Sequence, residues 1–257
     1  MDFGYTFAGF VVGIIVGMTG VGGGSLMTPL LVLMFGIHPA TAVGTDLLYA
    51  AITKAGGTIT HSLKGTVDWK VTGRLASGSI PAAATTLYLV SQFAPGGIGG
   101  ASGTISFALG IALVLTALAL IFRRNLQDFA QRHATLSERQ TAVLTVITGA
   151  ILGVLVSISS VGAGALGVTA LILLYPRMST IRIVGSDIAH AVPLTAVAGM
   201  GHWMLGSVDW SLLLALLLGS LPGITLGSHL SVKVPDRVLR PLLATLLVVI
   251  GGKLIAH

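Results

Sequence analysis

Two runs of this chain, Ile105 to Phe122 and Ser211 to Val232, contain no aspartate, glutamate, lysine or arginine. Each comes close to the ~20 apolar residues that an α-helix needs to cross ~30 Å of hydrocarbon. Such runs sit either in lipid or in the core of a large soluble protein, and composition decides between the two. The 257 residues are 54% hydrophobic and only 9% charged, whereas a soluble domain carries about 25% charged residues. A soluble chain of this make-up could not cover its surface. Mean hydropathy is +0.96, and the sequence reads as an all-α polytopic membrane protein.

The start, Met1-Asp2, has no basic stretch ahead of the first apolar run, so a cleavable signal peptide is not expected. The chain has no cysteine, which excludes disulfides and thiolate metal or redox centres. A net charge of +6 comes from few residues. They form no basic stripe on a soluble surface, so nucleic acid is not an expected partner.

The sequence also repeats itself. Val43 to Trp69 (VGTDLLYAAITKAGGTITHSLKGTVDW) aligns without a gap to Val184 to Trp210 (VGSDIAHAVPLTAVAGMGHWMLGSVDW). Gly44, Asp46, His61, Gly65, Val67, Asp68 and Trp69 fall on Gly185, Asp187, His202, Gly206, Val208, Asp209 and Trp210. Gly78 and Pro81 meet Gly219 and Pro222 at the same offset. Upstream, Val21 to Gly24 (VGGG) meets Val161 to Gly164 (VGAG) one residue out of step.

Each half divides into five apolar segments, near 3–19, 25–36, 40–61, 69–92 and 103–122, then 139–159, 164–176, 181–205, 209–231 and 237–256. The second segment of each half would span only ~16–20 Å, too short to cross comfortably. The domain organisation expected is a first transmembrane repeat over 1–122, a cytoplasmic connecting loop over 123–138, and a second transmembrane repeat over 139–257. The connecting stretch is polar and suits a loop or a surface helix.

Loop charge indicates how the halves lie. Lys64, Lys70 and Arg74 mark one loop of the first half, and its counterpart near 202–215 has no basic residue. Conversely, Arg177, Arg182, Lys233, Arg237 and Arg240 have no basic counterparts in the first half. With the connecting stretch cytoplasmic (Arg123, Arg124, Arg132, Arg139), one topology satisfies the positive-inside rule: both termini outside and the second repeat inverted.

Three consecutive glycines, Gly22 to Gly24, suit a helix poorly, each being about 1 kcal/mol worse than alanine. Glycine-interrupted segments at matching places in inverted repeats are a signature of secondary transporters. Backbone breaks at membrane depth only where protein or a watery cavity satisfies it. Each turn would then open a short helix whose N-terminus faces an anion-binding centre near the midplane. The alternative reading is that the glycines simply let helices pack closely.

The glycine-rich turn, AVGTD at Ala42 to Asp46, and the later His-Gly-x-Val-Asp-Trp pattern resemble the TauE/SafE family of sulfite and organosulfonate exporters, also called the toluene sulfonate uptake permease family. The resemblance covers nearly the whole chain. It implies a multi-pass protein of the bacterial cytoplasmic membrane carrying small sulfur-containing anions such as sulfite, thiosulfate or sulfonates, with export the expected direction. Family members often have an uncharged residue where Asp46 and Asp187 stand here, and VGAG is poorer in glycine than the family's usual second turn.

The remaining polar residues are candidates for the site. Asp46 lies about 10 Å into a helix opened by Pro39, and Asp187 lies at the inverted position. Intramembrane carboxylates are functional by default, here as proton carriers, although they could also cap the broken helices. Lys54 follows Asp46 by eight residues on the same helix face and has no basic counterpart, Thr195 standing there. It either supplies charge to an anion or snorkels to the interface. His61, His202 and His190 are candidate gating or proton-accepting residues, with ordinary helix-end roles as the alternative. The substrate-binding set is Gly22, Gly23, Gly24, Ser25, Thr45 and Lys54 from the first half, with Gly162, Ala163, Gly164 and Ser186 from the second. Asp68 and Asp209 read as helix N-caps, with Trp69 and Trp210 at headgroup level.

The function expected is therefore secondary transport of a small sulfur-containing anion coupled to protons, with the lipid bilayer as surroundings. A passive anion channel is the alternative, and a homodimer is left open. No cofactor and no metal are expected, because no cluster of ligating residues stands in the sequence. The glycine turn lacks the Lys-Ser/Thr of a phosphate-binding loop. No nucleophile–base pair suggests an enzyme.

Overall fold

A computed structural model of the chain describes residues 3–19, 24–93, 100, 102–132, 136–230 and 236–256. Ten helices run through them: α1 Phe3–Thr19, α2 Gly24–Leu33, α3 Pro39–Leu63, α4 Trp69–Phe93, α5 Ser102–Arg132, α6 Glu138–Ser159, α7 Ala165–Leu174, α8 Thr180–Met204, α9 Trp210–Leu230 and α10 Asp236–Ala256. Among the described residues there is no strand. The ten bounds follow the apolar segments closely, with one extension. α5 continues unbroken to Arg132, past the end of its apolar run, because no glycine or proline interrupts the chain there.

Local chemistry sets the ends. Pro39 opens α3, a position where its missing N–H costs nothing. Ser137 and Gln140 form a reciprocal capping box at the start of α6. The Asp68 carboxylate accepts the N–H of Lys70 and of Val71, and Asp209 does the same for Ser211 and Leu212, so both aspartates are N-caps. α3 and α8 both end on a left-handed glycine, Gly65 (φ 63°) and Gly206 (φ 72°).

Helices pack mainly across the two halves: α1 on α9, α4 on α6, α3 on α8 and α5 on α10. Glycine lets the backbones approach. A Cβ at Gly9 or Gly13 would meet the backbone of Leu216 or Ser220, and one at Gly149 or Gly153 would meet that of Leu75 or Ser79. These two sets are equivalent under the sequence repeat, and their order shows that α1 runs parallel to α9 and α4 parallel to α6. α3 and α8, the two copies of one segment, run antiparallel, with Gly57 beside Ile188 and Leu48 beside Gly199. Small residues at such contacts are what packing in lipid favours, where apolar burial supplies no net drive.

The outer surface fits a bilayer. Phe107, Ile111, Leu115, Leu118 and Phe122 form an exposed apolar stripe along α5, and Val143, Ile147, Ile151 and Val154 form one along α6. Stripes of that length are not tolerated on a monomer in water. By length and composition α5, α6, α8 and Trp210–Gly227 of α9 can each cross a membrane.

Candidate functional site

α7 starts after a turn that needs glycine. Ser160 is left-handed (φ 58°), and Gly162 and Gly164 take φ 132° and 136°, conformations a side chain would strain. Ala163 between them is buried. In the first half Gly24 opens α2 and Ser25 is buried beside it, while Gly22 and Gly23 lie outside the described residues. Each short helix packs on the long helix that follows it, α2 on α3 and α7 on α8.

That packing surrounds Asp46. Its side chain is fully buried in α3. Oδ2 accepts the hydroxyl of Thr28 on α2 and, at 2.9 Å, that of Ser160 at the second turn. Oδ1 has no hydrogen-bond partner. One carboxylate thus ties the short helix of the first half to the glycine turn of the second.

Lys54, two turns further along α3, directs its ammonium inward. Nζ donates to the Ala163 carbonyl at 2.8 Å, and one turn further along α3 Gly57 and Thr58 meet Ile188, the residue after Asp187. Asp187 is 1% exposed on α8, and its Oδ1 lacks any hydrogen-bond partner. That oxygen presses on Gly167 of α7, where a Cβ would collide with it. The two aspartates occupy equivalent sequence positions in unlike surroundings.

His190, one turn after Asp187, is buried, with Nε2 2.8 Å from the Ser79 hydroxyl and Nδ1 unpartnered. His202 is also buried, and its Nε2 donates to the Ser157 carbonyl at 2.8 Å while Nδ1 has no partner. His61 is half-buried with Nδ1 2.8 Å from the Thr66 hydroxyl. A Cβ at Gly185 would meet the His61 ring, and one at Gly44 would meet His202, so the two histidines sit at equivalent joints. The hydroxyls of Thr45 and Ser186 are taken by backbone: Thr45 accepts the Asp209 N–H at 3.1 Å, and Ser186 accepts the Asp68 N–H at 2.8 Å. Among the described residues no group of three or more His, Asp or Glu could hold a metal ion.

Thr28 and Ser160 were not apparent from the sequence pattern. A signal was present: in the second copy of the broken segment, Ser25 and Thr28 are replaced by Ala165 and Val168. At these two positions the hydroxyls therefore belong to the first half only.

A cavity of about 980 Å³ opens away from Asp46, at the C-terminal end of α7, among Lys70, Arg74, Tyr175, Arg177 and Arg182. Ion pairs join the halves there. Lys70 meets Glu138 at 2.6 Å, Arg74 meets it at 3.6 Å, and Arg182 meets Asp68 at 3.1 Å. The bonded Lys70 ammonium, with Arg74 behind it, holds Glu138 below the usual carboxylate range.

The description "Sulfite exporter TauE/SafE" matches residues 5–254. "Probable membrane transporter protein YjnA" of Bacillus subtilis is 41% identical over 251 residues, 96% of this chain and 97% of that protein. "Probable membrane transporter protein YdhB" of the same organism is 28% identical over 90% of this chain and 91% of its own length. A "Probable membrane transporter protein" of Xylella fastidiosa is 27% identical over 88% of this chain and 83% of its own length. No solved structure matches. A match that begins in α1 and ends in α10, on a framework of apolar helices packed through glycine, means that this chain belongs to the TauE/SafE sulfite exporter family of membrane transporters.

Proposed function

We propose that the protein is a proton-coupled secondary transporter of small sulfur-containing anions, sulfite, thiosulfate and organosulfonates among them, working at the two broken helices. The observation that carries this reading is the glycine turn of the second half, whose Ala163 carbonyl accepts the Lys54 ammonium and whose Ser160 hydroxyl donates to the buried Asp46 carboxylate. A half-buried cation held at the protein interior calls for an anionic partner, and nearby carboxylates can exchange that role for a proton. Sulfite as cargo, and export as direction, are supported by the words of the family description.

The two halves are inverted in this reading, with both termini outside and the basic cavity at the cytoplasmic face, in the bacterial cytoplasmic membrane. Support comes from the antiparallel run of α3 and α8, from the exchange-equivalent pairs α1–α9 and α4–α6, and from loop charge. Access alternates as the α2 and α7 hairpins rock against the long helices. Thr45 and Ser186 hold the joint between halves, and His61 and His202 stand at its two ends as gate residues.

Flux in proteoliposomes tests the reading. Labelled sulfite is followed with thiosulfate and a sulfonate as competitors, with and without an imposed pH gradient. Uphill accumulation driven by the gradient is expected. Flux that only equilibrates, once sulfite's own ionisation is corrected for, means a passive anion channel, and no flux of any of the three removes the anion reading.

A further inference from the structure

The repeat gives both halves an aspartate at one position, yet their surroundings are unequal. Asp46 has two hydroxyl donors on one oxygen, Thr28 and Ser160. Two hydroxyl donors on one oxygen are what a charged carboxylate, an acceptor only, calls for. Asp187 is as deeply buried, but its Oδ1 has no donor, and Gly167 rather than a hydroxyl residue faces it. Lys54 has no second copy: at the equivalent position Thr195 bonds its own helix through the Ala191 carbonyl. The Lys54 ammonium, bonded to the Ala163 carbonyl, is thus a single cation in a site with two carboxylates.

We infer that Asp187 and a transported anion compete for Lys54, so that a proton on Asp187 and an anion on Lys54 are taken up together while Asp46 stays ionised. The inference rests on the transport reading above. It follows from charge. With all three groups ionised the trio carries one net negative charge, and adding a singly charged anion would bury a second. Protonating Asp187 offsets the anion, so the loaded site has the same net charge as the empty one. Burial of uncompensated charge is what the low-dielectric interior penalises most. Taking proton and anion together makes the protein a symporter. Export then proceeds only when the cytoplasmic anion outweighs an inward proton gradient.

The charged and titratable groups near Asp187 are few. α3 brings Asp46, Lys54 and His61. α4 brings Lys70 and Arg74, both turned to Glu138, the first residue of α6, beside which stands Arg139. α7 brings none, and α8 itself brings Arg182, paired with Asp68, His190, held by Ser79, and His202, bonded to the Ser157 carbonyl. Of these, Lys54 is set toward Asp187 by packing: Gly57 and Thr58, one turn further along α3, meet Ile188, the residue after Asp187.

The test uses methanesulfonate, a singly charged anion that stays fully ionised across the working pH range. Wild type, Asp187→Asn and Asp46→Asn are reconstituted and assayed for methanesulfonate exchange against pH and for accumulation under a pH gradient. Wild-type exchange should rise toward acid, and a gradient of about one unit should sustain roughly tenfold accumulation at one proton per anion moved. Asp187→Asn should exchange with a flat pH profile and fail to accumulate, whereas Asp46→Asn should keep a profile that rises toward acid, because Asp187 still titrates. Gradient-driven accumulation by Asp187→Asn, or identical profiles for the two variants, overturns the inference. Wild type that exchanges no methanesulfonate, sulfite or thiosulfate fails one step earlier, at the anion reading itself. Should a variant not fold, proton uptake by wild type on adding methanesulfonate in weakly buffered detergent decides the matter. Uptake approaching one proton per anion bound is expected, and none refutes the inference.

Discussion

The Ser186 hydroxyl of α8 accepts the backbone N–H of Asp68 at 2.8 Å, and its repeat partner Thr45 of α3 accepts that of Asp209 at 3.1 Å. Each half thus supplies the hydroxyl that satisfies the residue capping the other half's fourth helix. Ser186→Ala and Thr45→Ala should each lower stability by about 1 kcal/mol, the worth of one partly buried hydrogen bond. The two bonds share no partner, so the double variant should add them. Thermal unfolding in detergent checks this. A loss at one site several times that at the other would show that the joints are not equivalent.

Glycine has opposite meanings at two pairs of positions. A Cβ at Gly78 would overlap the Val146 carbonyl, and one at Gly219 the Thr6 carbonyl, whereas Gly56 and Gly73 face open space. Gly78→Ala and Gly219→Ala should therefore force helices apart, destabilising by about 1–3 kcal/mol. Gly56→Ala and Gly73→Ala should be neutral or stabilising, by up to about 1 kcal/mol. Unfolding midpoints of the four variants decide it, and equal losses throughout would mean that backbone contact is not what these glycines serve.

Much of the fold was legible because lipid imposes simple patterns. Apolar runs bounded by Pro39, Gly65, Gly206 and the Asp-Trp pairs marked helices to within a few residues. α5 was the exception, since its change from apolar to charged residues near Arg123 looks like an ending although nothing in its backbone breaks. The site was less legible. Asp46, Asp187 and Lys54 announced themselves as charges in apolar segments, but their partners Thr28, Ser160, Gly167 and Ala163 come from other helices. The repeat also suggested equal roles for the two aspartates. Their difference lies in which hydroxyls the broken helices retained, a tertiary fact.

At the surface, Asp209 accepts the N–H of Leu212 first, then the hydroxyl and N–H of Ser211, and these bonds hold it below the usual carboxylate range. A carboxylate depressed on folding contributes stability above its unfolded value, and that contribution is lost as pH falls through the folded value. Acidification below about pH 4 should therefore weaken the start of α9. Asp209→Asn keeps a capping oxygen without the titration, so its unfolding midpoint should fall less with acid than wild type's. Parallel acid profiles would assign the acid sensitivity to other groups.

The absence of cysteine makes the topology directly testable. Leu63 and Met204 occupy equivalent positions, at the ends of α3 and α8, and both are strongly exposed, 85% and 82%. In two parallel repeats they would lie on the same side of the membrane, and in inverted repeats on opposite sides. Lys64, Lys70 and Arg74 follow Leu63, whereas no basic residue follows Met204 before Lys233. The positive-inside rule therefore puts Leu63 in the cytoplasm and Met204 outside. Labelled in intact cells with a membrane-impermeant maleimide, Met204→Cys should react and Leu63→Cys should not, and inside-out vesicles should reverse the pattern. Reaction of both variants from one side would make the halves parallel and remove the two-sided access on which the transport cycle depends.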